Sequence, residues 1–190
     1  TNVNALPAGD LHVPSPDWRE QIIYFAMIDR FNDGNTANND QGSGEYNPGK
    51  SSHYSGGDLA GITDKIQYIK DLGATAVWIT PPVAHQWWSK PANYGGYHGY
   101  WAENLMQTDA HFGTLADMKT LSRALHGQGM YLIQDVVVNH MGNYIAYDLS
   151  HWNPDKPKAG FRFEATNVQG NAPSQIPFRY NNAADANQAA

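Results

Sequence analysis

Three apolar runs, at residues 22–28, 74–79 and 130–138, are each the length of a strand and carry hydrophobic side chains on both faces. Runs of that kind suit a parallel sheet covered by helices. Between the first two, Leu59, Ile62, Ile66, Ile69 and Leu72 recur at steps of three and four and stop at Gly73. This spacing predicts one helix with a single buried stripe, ended by a glycine. Between the second and third, Leu115, Met118, Leu121 and Leu125 repeat the pattern. Thr114 and Asp117 form a capping signal at its start, and Gly127 and Gly129 close it. The predicted order is β-α-β-α-β.

The connections are unequal. Helices return to the next strand within a few residues, whereas each strand is followed by a connection of roughly 30, against the usual 2–6. In a (β/α)8 barrel, sites are built from loops at the carboxyl ends of the strands, so this asymmetry marks one end as the working face. A doubly wound sheet is the competing fold, but the first strand is not followed by G-x-G-x-x-G and no P-loop occurs. Beyond His140 the texture changes: residues 144–180 hold scattered aromatics, prolines and asparagines without a helical period, as in an irregular or β-rich insertion. Residues 181–190 contain no large apolar side chain and read as a loop or frayed end.

A length of 190 residues with 41% hydrophobic content is globular and leaves room for about one domain. Twelve Lys and Arg against eighteen Asp and Glu, with no basic block, argue against a nucleic-acid partner and favour a neutral substrate. No apolar run approaches the ~20 residues of a membrane span. Six Trp and eleven Tyr, many beside Gly, Asn or His, suit sugar-stacking surfaces as well as a core. The absence of cysteine leaves the compartment open, while a start at Thr1 hints at processing.

Two groups of residues stand out chemically. Asp33, Asn35, Asn38 and Asn39, with the later Gly56-Gly57-Asp58, concentrate hard oxygen donors around glycines. Such a set fits Ca2+, which takes six to eight oxygens, but it also fits a solvated Asn/Gly turn. Tyr97-His98-Gly99-Tyr100-Trp101 and Asp135-Val136-Val137-Val138-Asn139-His140 would meet at the mouth of a barrel, supplying rings and hydrogen-bonding groups.

The last of these stretches resembles the first signature, D-x-x-x-N-H, of the α-amylase family, glycoside hydrolase family 13. Asp29-Arg30-Phe31-Asn32-Asp33-Gly34-Asn35 resembles its first-strand region, residues 73–82 (GATAVWITPP) its second, and Tyr97-His98-Gly99-Tyr100-Trp101 and Gly113-Thr114 with Asp117 the approach to its second helix. The loop at 33–39 with Gly56-Gly57-Asp58 is most similar to cyclodextrin glucanotransferases and related bacterial α-amylases. The resemblance implies an α/β fold: the N-terminal portion of a (β/α)8 TIM barrel at 1–142, then the start of an irregular or β-rich inserted domain B at 143–190. It also implies hydrolysis or transglycosylation of α-1,4-glucan by a retaining mechanism, in an extracellular or periplasmic location.

By the same resemblance Tyr100 would stack on the sugar at the cleavage point with Trp101 beside it. His98 and His140 would hydrogen-bond that sugar, and Asp135 would order the site. Asp33, Asn35, Asn38, Asn39, Gly56 and Asp58 would hold one Ca2+, and Asn139 would ligate a second. The nucleophile and acid of the retaining mechanism, about 5–5.5 Å apart, are expected beyond Ala190. They would come from the remainder of the protein or a second fragment. Gly160-Phe161-Arg162-Phe163-Glu164-Ala165 resembles the nucleophile motif, but it follows His140 too closely for an insertion, a helix and a strand, and is read as part of the insertion. A cyclodextrin-forming glucanotransferase is the second reading, and a non-catalytic glucan-binding piece is the alternative from a different class.

Overall fold

The computed structural model describes residues 15–89 and 92–142, together with the backbone of residues 146–148 and 162–164. The strands are β1 (Ile23–Ala26), β2 (Ala76–Ile79), β3 (Val83–His85), β4 (Trp88–Ser89), β5 (Tyr94–Gly95), β6 (Ala102–Thr108), β7 (Tyr131–Gln134), β8 (Ala146–Asp148) and β9 (Arg162–Glu164). The α-helices are α1 (Ile28–Phe31), α2 (Leu59–Asp64), α3 (Ile66–Asp71) and α4 (Leu115–Gly127).

The three apolar runs form one parallel sheet in the order β1-β2-β7, with Phe25, Trp78 and Ile133 side by side across it. Because side chains alternate along a strand, the sheet has two distinct faces. Tyr24, Ala26, Val77, Ile79 and Leu132 point to the helices, where Leu59, Ile62, Ile66, Ile69, Phe112, Leu121 and Leu125 complete a dry core. The opposite face is open: Ile23 is 45% and Phe25 46% exposed, and Phe25 meets Trp78 edge-on at 5.0 Å. The strands are thus shorter and more one-sided than the apolar runs suggest. The ladder ends where the Asp135 N–H donates to the Ile79 carbonyl; past it, Val138 is 94% exposed.

Two features differ from the periodicity. The predicted single helix divides at Lys65, whose backbone (φ −105°, ψ 10°) leaves helical geometry and whose N–H turns back to the Ile62 carbonyl. The stripe is buried from Leu59 to Ile69, but Leu72 lies past the last helical turn and is 56% exposed. Helix α4 begins with the predicted capping box, in which the Thr114 hydroxyl accepts from the Asp117 N–H and the Asp117 carboxylate accepts from the Thr114 N–H. A cap of this kind contributes about 1 kcal/mol.

The long connection after β2 is built rather than loose. Strands β3 and β6 form an irregular antiparallel ribbon, and β4 and β5 a short hairpin that turns through Asn93 at φ 51°. Strand β9, which carries Arg162 and Glu164, pairs antiparallel with β8 and lies off the parallel sheet. The rest of 143–190 lies outside the described residues. No helix among the described residues is long and apolar enough to cross a membrane.

Candidate functional site

The stretch from Tyr97 to Trp101 sits at the carboxyl end of β2 because of Gly99. Its φ is +80°, and a Cβ there would lie 2.3 Å from the Pro81 carbonyl oxygen, so only glycine allows the backbone this close. That placement turns Tyr100 into a hub. Its N–H donates to His98 Nδ1 (3.0 Å), its carbonyl accepts from His140 Nε2 (3.0 Å), and its hydroxyl donates to Asp135 Oδ2 (2.9 Å). Three polar groups of one residue therefore orient three other predicted site residues. The His98 ring stacks on Tyr100 (centroids 5.8 Å apart) and meets Trp101 edge-on at 4.5 Å.

Protonation states follow from these contacts. Burial, helped by His85, pushes His98 down to about 4, so at neutral pH it is uncharged. Since Nδ1 accepts from Tyr100, its proton sits on Nε2, which is the donor offered to a ligand. Burial and the Asp135 carboxylate hold the Tyr100 phenol up at about 12. The site thus presents neutral donors, aromatic faces and one carboxylate, a set suited to a polyhydroxyl ligand. The structure brings all five predicted substrate residues together.

The oxygen-rich loop also closes on itself. Asp58 caps α2 through the Gly61 N–H (2.6 Å) and takes the Gly34 and Asn35 amides at 3.2 and 2.8 Å. Asn38 reaches Asp58 at 3.4 Å, Asn39 donates to Asp33 at 2.6 Å, and a Cβ on Gly56 would collide with the Asn39 amide at 2.7 Å. The amide oxygens of Asn38 and Asn39 are buried without a donor. Orphaned acceptors beside two carboxylates are what a cation would satisfy, so the residues fit Ca2+. Among the described residues no three His, Cys, Asp or Glu side chains cluster as a metal site, because this cage is half amide. Asn139, exposed beyond β7, shares no hydrogen bond with this cage among the described residues.

A buried ionisable cluster escaped the sequence reading. His111 lies between Asp109 (2.8 Å) and Glu45 (2.9 Å), with the Tyr54 ring stacked on it at 4.1 Å. Tyr54 in turn bonds His85 at 3.0 Å. Burial pushes His85 down, and its Nδ1 donates to the Val83 carbonyl at 3.1 Å, so the neutral ring's Nε2 accepts from the Tyr54 hydroxyl. Nearby, buried Asp29 is raised to about 6 by burial despite amides from Ser55 and Gly56 and the Arg30 guanidinium at 3.1 Å. The one sequence signal was a histidine two residues from an aspartate just before the α4 cap.

Comparison with known proteins decides what this arrangement belongs to. The model of the alpha-amylase catalytic domain matches residues 25–187. The chain belongs to the alpha-amylase family. It is 42% identical over 127 residues to a cyclomaltodextrin glucanotransferase of Klebsiella oxytoca, covering 65% of this chain and 19% of that protein. It is 34% identical over 144 residues to the periplasmic alpha-amylase of Escherichia coli, covering 72% and 21%. Among solved structures, an Anoxybacillus alpha-amylase superposes with TM-score 0.60 at 42% identity, over 76% of this chain and 29% of that one. The three-domain cyclomaltodextrin glucanotransferase CldA gives 0.61 at 36%, over 71% and 28%. The chain thus spans about a fifth of the length of those two curated relatives. As part of an alpha-amylase catalytic domain, the β1-β2-β7 sheet is a segment of the family's (β/α)8 barrel.

Proposed function

We propose that the complete protein cleaves or transfers α-1,4-glucosidic bonds of starch-like glucans by a retaining double displacement, and that this chain supplies part of the sugar site and one Ca2+ site. The Tyr100 hub carries the reading. Its ring and the Trp101 ring offer stacking surfaces, while His98 Nε2–H, His140 Nδ1 and the Asp135 carboxylate offer one donor and two acceptors. His98, being neutral, binds hydroxyls without drawing counter-ions. The nucleophile and acid are assigned to chain following Ala190 or to a second fragment. Bound Ca2+ would be structural, linking the loop after β1, through Asp33, Asn35, Asn38 and Asn39, to Gly56 and Asp58 at the head of α2. Asn139 would serve a second Ca2+ shared with the insertion.

Among the relatives, one is a periplasmic amylase and one a glucanotransferase, which supports an extracellular or periplasmic location and keeps cyclodextrin formation as the second reading. The test is the action of the complete protein on maltoheptaose. Release of reducing ends with the anomeric configuration retained is expected, with cyclic products marking the transferase. Tyr100→Ala should lower kcat more than it raises KM, because contacts to the cleaved sugar strengthen as its ring flattens. Binding of maltoheptaose with neither hydrolysis nor transfer would leave a glucan-binding protein instead.

A further inference from the structure

The buried cluster around His111 makes no hydrogen bond to the Tyr100 hub among the described residues. We propose that His111 is a positioning residue for the calcium cage: a buried imidazolium that pins Glu45 and through it the Asn38–Asn39 side of the cage, so that Ca2+ affinity falls when the ring loses a proton. The proposal rests on the calcium reading above.

Both ring nitrogens face carboxylate oxygens, Nδ1 to Asp109 and Nε2 to Glu45, and a carboxylate only accepts. Both nitrogens must therefore donate, and the ring is a cation. The groups facing it are Asp109 from its own turn, Glu45 from the loop after β1, Asp29 from α1, the Tyr54 ring, and neutral His85 from β3; Arg30, the other cation nearby, is paired with Asp29. Burial works against the proton, but Asp109 and Glu45 outweigh it and raise His111 above the ordinary histidine value.

A short hydrogen-bonded route leads from this ring to the cage. Glu45 takes the Gln41 N–H on Oε1 (2.5 Å) and the Ser43 N–H on Oε2 (3.1 Å). The Gln41 side chain donates to the Asn38 carbonyl at 2.8 Å, and Asn38 and Asn39 carry the two orphaned amide oxygens. If His111 deprotonates, one nitrogen turns a lone pair toward a carboxylate. Asp109 also holds the His111 backbone N–H (2.9 Å), so the Glu45 contact is the one that fails. The Glu45 side chain, 1% exposed, would then be a buried charge without a cation, and the turn at 41–45 must rearrange. Because the bound, folded form holds the proton more tightly, affinity is high at low pH and is lost as pH rises through the His111 value.

The experiment is calorimetric titration of chelator-stripped complete protein with CaCl2 between about pH 6 and about pH 9.5, repeated for Glu45→Gln and His111→Gln. In the wild type a fall of about tenfold toward the alkaline end is expected, corresponding to roughly one unit of difference in the histidine value between bound and free forms. Glu45→Gln should bind more weakly at about pH 6 and lose the pH dependence. The wild-type series stands even where His111→Gln does not fold. Wild-type affinity that is flat with pH, or Glu45→Gln indistinguishable from wild type, overturns the proposal alone. No binding that Asp33→Asn abolishes, at any pH, overturns the calcium reading and this proposal with it.

Discussion

Replacing Asp58 separates its structural work from its metal work. Its carboxylate is fully buried and accepts the backbone amides of Gly34, Asn35 and Gly61. Asp58→Ala leaves the buried Gly61 N–H uncapped and takes the acceptor from the part-buried Gly34 and Asn35 N–H groups; at about 1–2 kcal/mol for the cap and about 0.5–1 kcal/mol for each of the others, the loss is about 2–4 kcal/mol. That is a large share of the roughly 5–15 kcal/mol that holds a domain folded. Asp58→Asn keeps one oxygen for Gly61 and Gly34 but points an NH2 at the Asn35 N–H, so its loss should be about 1–3 kcal/mol. Calcium adds a second axis. An ion at a hundredfold excess over its Kd stabilises the folded state by about 2.7 kcal/mol, and both variants should forfeit that gain. Urea unfolding of the complete protein, in chelator and in calcium, measures all four quantities. If the Asn variant were as unstable as the Ala variant in chelator, the acceptor count would be the wrong explanation. If calcium still stabilised Asp58→Asn by the wild-type amount, Asp58 would not be a ligand.

Gly99→Ala should disable the proposed sugar site although glycine offers no side chain to it, since a Cβ there would overlap the Pro81 carbonyl and the φ of +80° disfavours alanine; a kcat reduced by at least about tenfold with the overall fold retained by circular dichroism is expected, and unchanged turnover would refute the hub. Acid unfolding should show Asp109: burial raises it, but His85 and His111 bring it down to about 2 against 3.8 for an ordinary aspartate, so its contribution of about 2 kcal/mol is complete above about pH 4 and lost by about pH 2. Asp29, held at about 6, acts with the opposite sign, adding stability as pH falls from about 6 toward about 4, so the loss below about pH 4 belongs to Asp109, and Asp109→Asn should flatten that acid limb of a stability–pH curve.

The β-α-β-α-β order was legible because both helices carry a stripe at the helical period and because Thr114 with Asp117 signals its own cap. Strand ends were less so: Val136 and Val138 look like core in sequence, but the pairing of β7 with β2 stops at Gln134 and both are exposed. The break at Lys65 has no proline or glycine to announce it. The grouping of Asp33, Asn38, Asn39 and Asp58 could be read because those residues crowd into two short segments, and that of Tyr100 with His98, Asp135 and His140 because they carry family motifs. Glu45 and His111 lie 66 positions apart, so nothing local joins a lone glutamate to a lone histidine until the fold does.

The two faces of the parallel sheet explain how a partial barrel can hold an ordered site. Every partner that fixes Tyr100 (His98, Asp135, His140 and the Pro81 carbonyl behind Gly99) belongs to the loops after β2 and β7, and those two strands are adjacent and anchored on the filled helical face by Val77, Ile79 and Leu132. The orientation of the stacking ring therefore does not depend on the open face that bears Ile23, Phe25 and Trp78. On the proposed function, that face would receive the remaining barrel wall, and with it the pair of carboxylates that the retaining chemistry needs. The division is physically reasonable, because stacking and hydroxyl contacts tolerate small displacements whereas two carboxylates must be held about 5–5.5 Å apart across the sugar. On the proposed function, ground-state recognition of glucose would rest on this segment, and bond cleavage on how exactly the rest of the barrel closes against it.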